Sequence, residues 1–230
     1  MKNSKVKDSI NSKFIPLKEF PEYTEVEMVV RSKKFLELMS KRRTIRTFSE
    51  RQIPENIIIN AIKTAGTAPS GANMQPWFFA IVKNPKIKST IRLKAEKEEK
   101  EFYSQRASKE WLKVLEQFET NEDKPFLEQA PYLIVIFERK FDYDLEKNMI
   151  KHYYTKESVG IATGMLIAAL HNSGVATLTH TPSPMNFLNK ILERPENEKP
   201  FLIVVAGLPH QQTEIPNIKR KEFEKISLFY

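Results

Sequence analysis

The sequence predicts an α+β fold, a small sheet with helices around it, on three observations. Four short stretches rich in branched and aromatic residues read as core strands, over 77–83 (WFFAIVK), 132–137 (YLIVIF), 175–181 and 201–206. Each is separated from the next by sequence with helical periodicity, and helices outnumber strands. No internal repeat or low-complexity block interrupts the pattern.

Taken in order, residues 1–20 carry charges throughout and no apolar core, which predicts an N-terminal arm rather than a signal peptide. Val26, Val29, Val30, Phe35, Leu36 and Met39 then predict an amphipathic helix over 25–39. The run KRRTIRTFSERQIP, dense in arginine, ends at Pro54, a residue favoured at the first helical position. Ile58, Ala61, Ile62 and Ala65 follow at i, i+3, i+4, i+7, and Gly66 is expected to close that helix. Small residues and turn formers make 67–76 a loop. A long charged helix is expected over 85–106, continued over 111–118 and broken over 121–125. Residues 157–172 read as a helix with small or apolar residues on most faces, hence buried, and ended by Gly174. The polar segment 210–230 ends in ISLFY, an apolar tip that suits docking on a second subunit.

Composition removes several classes of chemistry. The chain of 230 residues has 40% hydrophobic and 29% charged residues, as a globular domain does. It has no cysteine, which excludes disulfides, thiolate catalysis and thiolate-held zinc or iron–sulfur centres, so redox work would fall to a bound cofactor. His152, His171, His180 and His210 show no metal-ligand spacing, and no metal site is expected. The net charge of +8 is spread along the chain with lysine and glutamate interleaved. That argues against nucleic acid and suits an anionic cofactor or substrate. No stretch approaches the roughly 20 apolar residues of a membrane span, and a cytoplasmic setting is expected.

Three segments could carry chemistry. Arg42, Arg43 and Arg46 in KRRTIR offer planar forks suited to phosphate, although an exposed basic turn would look the same. In TAPSGANMQPW, Ser70, Gly71 and Ala72 offer a hydroxyl and approachable backbone N–H groups. The strand end TLTHTPSP presents Thr179, His180 and Thr181, and a plain β-branched strand end accounts for it equally well.

RRTIR, PSGANMQPW and the late IKRK, in this order and spacing, resemble the nitroreductase superfamily of FMN proteins. Within it the chain is similar to the iodotyrosine deiodinase group. The similarity lies in YTEVEMVVRS, TAGTAPSGA, IRLKAEKEEKEFYSQRASKEW, EQAPYLIVIF, HYY, SVGIATGMLIAAL and IPNIKRK, covering roughly residues 20–225. The resemblance implies a single FMN-binding domain over 1–230 with a central mixed sheet flanked by helices. It further implies an active-site lid over about 90–127 and a 210–230 tail exchanged between the subunits of a homodimer. It assigns Arg42, Arg43, Thr44, Arg46, Ser70, Thr179, His180, Thr181 and Arg220 to the flavin. The Thr181 hydroxyl would bond flavin N5 and favour one-electron chemistry, and His180, a threonine in animal members, would contribute its backbone. It assigns Ala72, Glu99, Tyr103 and Lys124 to a halogenated tyrosine, with the Ala72 backbone N–H holding the phenolate in the manner of an oxyanion hole.

The spacing of Glu99 and Tyr103 puts them on one helix face, where carboxylate and phenol ring can meet one amino acid. Against this, Glu99 lies in EKEEKE, which otherwise reads as a solvated face. Asn73 and Gln75 are closer to ordinary nitroreductases. The expected activity is reductive dehalogenation of halotyrosine; the alternative is a broad NAD(P)H-dependent FMN nitroreductase. No GxGxxG fingerprint is present, so a separate NAD(P)H-dependent flavin reductase could supply electrons.

Overall fold

The computed structural model describes residues 14–230, so the first part of the arm expected over 1–20 lies outside the described residues. The chain divides into two units, Met1–Ser40 and Lys41–Tyr230.

The described part of the first unit holds helix α1 (Glu25–Ser40). A capping box starts it: Glu27 N–H donates to Thr24 Oγ1 at 3.3 Å while Thr24 N–H donates to Glu27 Oε2 at 3.0 Å. None of its residues is buried, and Val26, Val29, Val30, Phe35 and Leu36 stand exposed.

The second unit runs α2 (Glu55–Ala65), β1 (Trp77–Val82), α3 (Pro85–Glu101), a π-turn (Phe102–Arg106), α4 (Lys109–Glu116), α5 (Phe126–Gln129) and β2 (Tyr132–Arg139). A hairpin of β3 (Phe141–Tyr143) and β4 (Met149–Lys151) follows, then α6 (Thr155–Asn172), β5 (Ala176–His180), α7 (Phe187–Ile191) and β6 (Glu198–Gly207). The sheet order is β1-β2-β6-β5, and all three strand pairings are antiparallel. Parallel pairing enters through an isolated bridge between Thr44 and Thr177. No helix among the described residues is long and apolar enough to cross a membrane.

The unbroken apolar run of β2 follows from burial on both faces. Leu133, Val135 and Phe137 join one core cluster with Ile91 and Ala95 of α3, Leu127 of α5 and Leu188 of α7. Tyr132, Ile134 and Ile136 join the other with Ile58, Ala61 and Ala65 of α2 and Val159, Leu166 and Leu170 of α6. Strand alternation deals successive side chains to opposite faces, so the unit is a helix–sheet–helix sandwich.

Local chemistry sets the helix ends. The Asn84 side chain accepts from Lys86 N–H at 2.9 Å and Ile87 N–H at 3.4 Å, and Pro85 occupies the first turn of α3. Gly174, at φ 76°, takes the left-handed turn after α6. Gly66 closes α2 as expected, and does so in a right-handed conformation at φ −65°. There α2 ends by tightening, with Thr67 N–H donating to the Thr64 carbonyl at 3.1 Å. Helix α6 is also less enclosed than its composition predicts, because Gly160, Ile161 and Gly164 are exposed along one side.

Candidate active site

The arginine run reaches the sheet as an extra extended segment. Ile45 N–H donates to the Thr177 carbonyl at 3.2 Å, laying residues 44–46 along the edge strand β5. Alternation sends the Ile45 side chain into the core and Arg42, Thr44 and Arg46 the other way. There they meet the C-terminal segment in a cavity of about 280 Å³ lined by Arg42, Arg43, Thr44, Arg46, Lys219 and Arg220 together with Phe118, Pro216 and Ile218. Arg220 Nη2 donates to the Arg42 carbonyl at 2.7 Å, and Arg43 donates to the Pro216 carbonyl. Among the described residues, five cationic side chains line this cavity and no carboxylate does. Burial, then the charges of Arg220 and Arg43, lower the pKa of Arg42 below the ordinary arginine value. A bound anion would relieve that crowding.

Arg46 also lines a second cavity, of about 490 Å³. One wall is the end of β5 and its exit: Thr179, His180, Thr181 and Ser183. The opposite wall comes from α3, the π-turn and α4: Glu99, Phe102, Tyr103, Trp111 and Leu115, with Thr120, Lys124 and Phe126. Glu99 is therefore not part of a solvated face, although Lys97 and Lys100 beside it are exposed. Its Oε2 pairs with Lys124 Nζ at 3.2 Å, and their side chains are 14% and 6% exposed. Lys124 Nζ also donates to the Asn121 carbonyl and sits 5.4 Å from the centre of the Tyr103 ring, a cation–π distance. Tyr103 OH donates to Thr120 Oγ1 at 3.0 Å, and Lys124 N–H donates to Glu96 Oε1 at 2.7 Å, so both ends of the trio are fixed. Burial pushes the Glu99 carboxyl above the usual carboxylate range, although Lys124 and Arg106 pull it down.

His180, at the end of β5, is buried on the core side of the strand. Its ring is buried edge-on against Phe126, with centroids 5.4 Å apart, and among the described residues its Nε2 has no hydrogen-bond partner. Burial first, and the nearby Lys124 charge second, lower its pKa to about 3, so the imidazole is neutral across the physiological range.

Ser70 and Ala72 are not brought to this cavity, since neither lines it. Ser70 Oγ accepts from Gln75 N–H at 3.0 Å, and Gly71 N–H donates to Ser158 Oγ at 3.4 Å, tying the loop to the start of α6. Any side chain at Gly71 would meet the Tyr153 carbonyl at 2.9 Å, which explains the glycine. Ala72, Asn73 and Gln75 all take positive φ, at 49°, 55° and 48°. Such left-handed residues cost about 1–2 kcal/mol each, and a cluster of them marks a loop whose shape is held for a purpose.

Motif reading named the trio and the arginines but missed Phe102, Trp111 and Leu115. Their only signal is an apolar stripe through an otherwise charged helical stretch.

The unit that holds this helix–sheet–helix sandwich and its two cavities is matched by the nitroreductase family model over residues 39–208, and the chain belongs to that family. It is more specifically similar to iodotyrosine deiodinases. The chain is 52% identical to that of Haliscomenobacter hydrossis over 89% of its own length and 92% of the relative's. It is 42% identical to human iodotyrosine deiodinase 1 over 89% of its length and 71% of the relative's. In structure it resembles oxidized iodotyrosine deiodinase bound to FMN and 3-iodo-L-tyrosine, with TM-score 0.74 and 30% identity over 85% of this chain and all (100%) of that one.

Proposed function

We propose that this chain is an FMN-dependent enzyme that reductively removes halogen from halogenated tyrosine. The observation that carries this reading is the nearly buried Glu99–Lys124 ion pair, 3.2 Å apart beside Tyr103. A substrate with both an ammonium and a carboxylate can take over the two halves of that pair. Glu99 would receive the ammonium and Lys124 the carboxylate, so each buried charge exchanges one partner for another and none is left alone. Tyr103, Phe102 and Trp111 supply aromatic walls for the phenol ring. Similarity to the FMN-bound relative supports the cofactor, and the cationic cavity fits it. Arg42, Arg43, Arg46 and Arg220 would hold the phosphate, and Thr179, His180 and Thr181 the ring side.

Bound FMN supplies the electrons: two electrons and one proton convert the carbon–halogen bond to carbon–hydrogen and release halide. The chain's own residues bind, orient and exclude water. Residues 90–127 act as a lid whose closure seats Glu99, Tyr103 and Lys124 over the substrate. In this reading the Ala72 N–H holds the phenolate.

That last assignment requires a homodimer, because the 70–72 loop does not line the cavity of its own chain. The exposed side of α6 and the exposed apolar residues of α1 supply surface for such a partner. The proposed setting is cytoplasmic, with electrons supplied by a separate flavin reductase, since the sequence carries no GxGxxG fingerprint for a dinucleotide.

The test is anaerobic. The FMN-loaded protein is reduced with dithionite, diiodotyrosine is added, and flavin absorbance and free iodide are followed together. Reoxidation with stoichiometric iodide is expected, and it should be lost in Glu99→Gln and Lys124→Gln. Reduced flavin that ignores diiodotyrosine but is oxidised by a nitroaromatic overturns the proposal in favour of a general nitroreductase.

A further inference from the structure

We propose that Arg106 is the latch that seats Glu99 and Tyr103 over the cavity, a positioning residue for capture of the amino-acid substrate. The inference rests on the substrate reading given above and adds to it the part that holds the wall in place. Arg106 is the last residue of the π-turn Phe102–Arg106, which directly follows α3 and contains Tyr103. Single-turn π distortions of this kind recur at functional sites.

The guanidinium reaches in two directions. Nη2 turns back into its own wall, donating to the Glu98 carbonyl at 2.6 Å and to Glu98 Oε2 at 3.0 Å, with Glu101 Oε2 at 3.5 Å. Nη1 crosses to the opposite wall and donates to the Ser183 carbonyl at 2.6 Å. Ser183 lines the same cavity as Glu99 and lies two residues beyond Thr181. One rigid fork therefore joins the peptide before Glu99 to the exit of β5. The planar geometry of arginine makes both arms possible from one side chain; lysine, a point charge on a flexible stem, has no such fork.

The half-exposed ion pairs to Glu98 and Glu101 contribute little in water. The charge-assisted bond to the Ser183 carbonyl is the one that spans the two walls. The positive charge of Arg106 also favours the ionised form of Glu99, against the burial that opposes it. Positioning and charge thus act on the same carboxylate.

The test uses the FMN-loaded full chain. Diiodotyrosine affinity is read by quenching of flavin fluorescence, and hydrogen exchange is followed through residues 90–127. Arg106→Ala should weaken diiodotyrosine binding about tenfold, the loss of one charge-assisted hydrogen bond. It should also speed exchange around 99–106 while leaving FMN content unchanged. Arg106→Lys should recover the charge effect and not the exchange protection. Since a merely structural role would not shift acid sensitivity, binding in Arg106→Ala should also begin to fall at higher pH than in the parent, as Glu99 protonates more readily. Arg106→Ala with affinity within about twofold of the parent, while Glu99→Gln loses binding, overturns the latch. Unchanged binding in Glu99→Gln overturns the substrate reading itself, and the latch's part in capture with it.

Discussion

Replacing His180 by leucine should remove most of one component of the protein's acid sensitivity. In the folded chain the His180 pKa is lowered from 6.5 to about 3. A histidine held neutral by folding imposes no penalty above its unfolded pKa. Below that value the unfolded chain binds a proton that the folded chain refuses, so stability falls with falling pH until the folded pKa is reached. Between pH 8 and pH 5 the loss is about 1.5 pH units of linkage, or about 2 kcal/mol. At pH 8 the substitution should change stability by less than about 1 kcal/mol, because it removes an unpartnered ring nitrogen and keeps an apolar side chain against Phe126. Urea unfolding followed by far-ultraviolet circular dichroism, at matched protein and FMN concentrations, gives the midpoints at both pH values. His180→Leu should lose about 2 kcal/mol less than the parent on going from pH 8 to pH 5. Parallel losses in parent and variant would refute the argument, and would mean that the imidazole reaches water or a partner in the folded state.

Two further outcomes follow from the same structure. Arg42→Gln should weaken FMN retention about tenfold and make its salt dependence shallower, read by equilibrium dialysis, because one of the crowded charges that an anion would neutralise is gone. Glu198→Ala should destabilise the fold by about 3 kcal/mol in urea unfolding. Its fully buried carboxylate pairs with Arg139 Nη2 at 2.8 Å and Arg194 Nε at 2.7 Å. Burial would raise the Glu198 pKa, but the hydrogen bonds and charges of Arg194 and Arg139 more than offset it, leaving it below the ordinary value. Its stabilisation is therefore present above the unfolded carboxylate range and lost as the pH falls through the lowered folded pKa.

The four strands of the sheet were legible because β2 and β6 are buried on both faces and β1 and β5 carry branched or aromatic residues between clear breaks. The hairpin of β3 and β4 was not. Three residues per strand cannot show a period, and its turn is held by Asp144, whose Oδ1 accepts from Asn148 N–H at 2.8 Å, a contact that periodicity does not see. Helix α7 is five residues long and escapes for the same reason. The site divides along a similar line. The arginines are a local cluster, and one bridge to β5 keeps them together. Glu99, Tyr103 and Lys124 are joined by a fold-back through the 121–125 break, so spacing alone left the solvated-face reading of Glu99 open, and only the family motif pointed the other way. The burial of His180 was within reach of the pattern, since strand alternation places it with Leu178 of the core. The separation of Ser70 and Ala72 from the cavity was not, because a motif records order along a chain and carries no information about where the fold places each segment.

The distribution of charge between the two cavities also bears on what enters the second one. The first is cationic with no acid in its lining, so it favours an anion and gains by holding one. The second contains Lys124 and Glu99 already paired, with Arg46 shared between the two cavities. Once the phosphate of a flavin has been met by the arginines, the remaining field at the second cavity is close to balanced. A polyanionic nicotinamide dinucleotide placed there would bring its phosphates toward Glu99, in a partly buried setting where like charges repel strongly. A zwitterion brings one charge of each sign to two groups already arranged with the opposite signs, and its aromatic ring meets Tyr103, Phe102 and Trp111. In the proposed reading, a zwitterion therefore suits these walls better than a dinucleotide, in keeping with the separate electron donor proposed above.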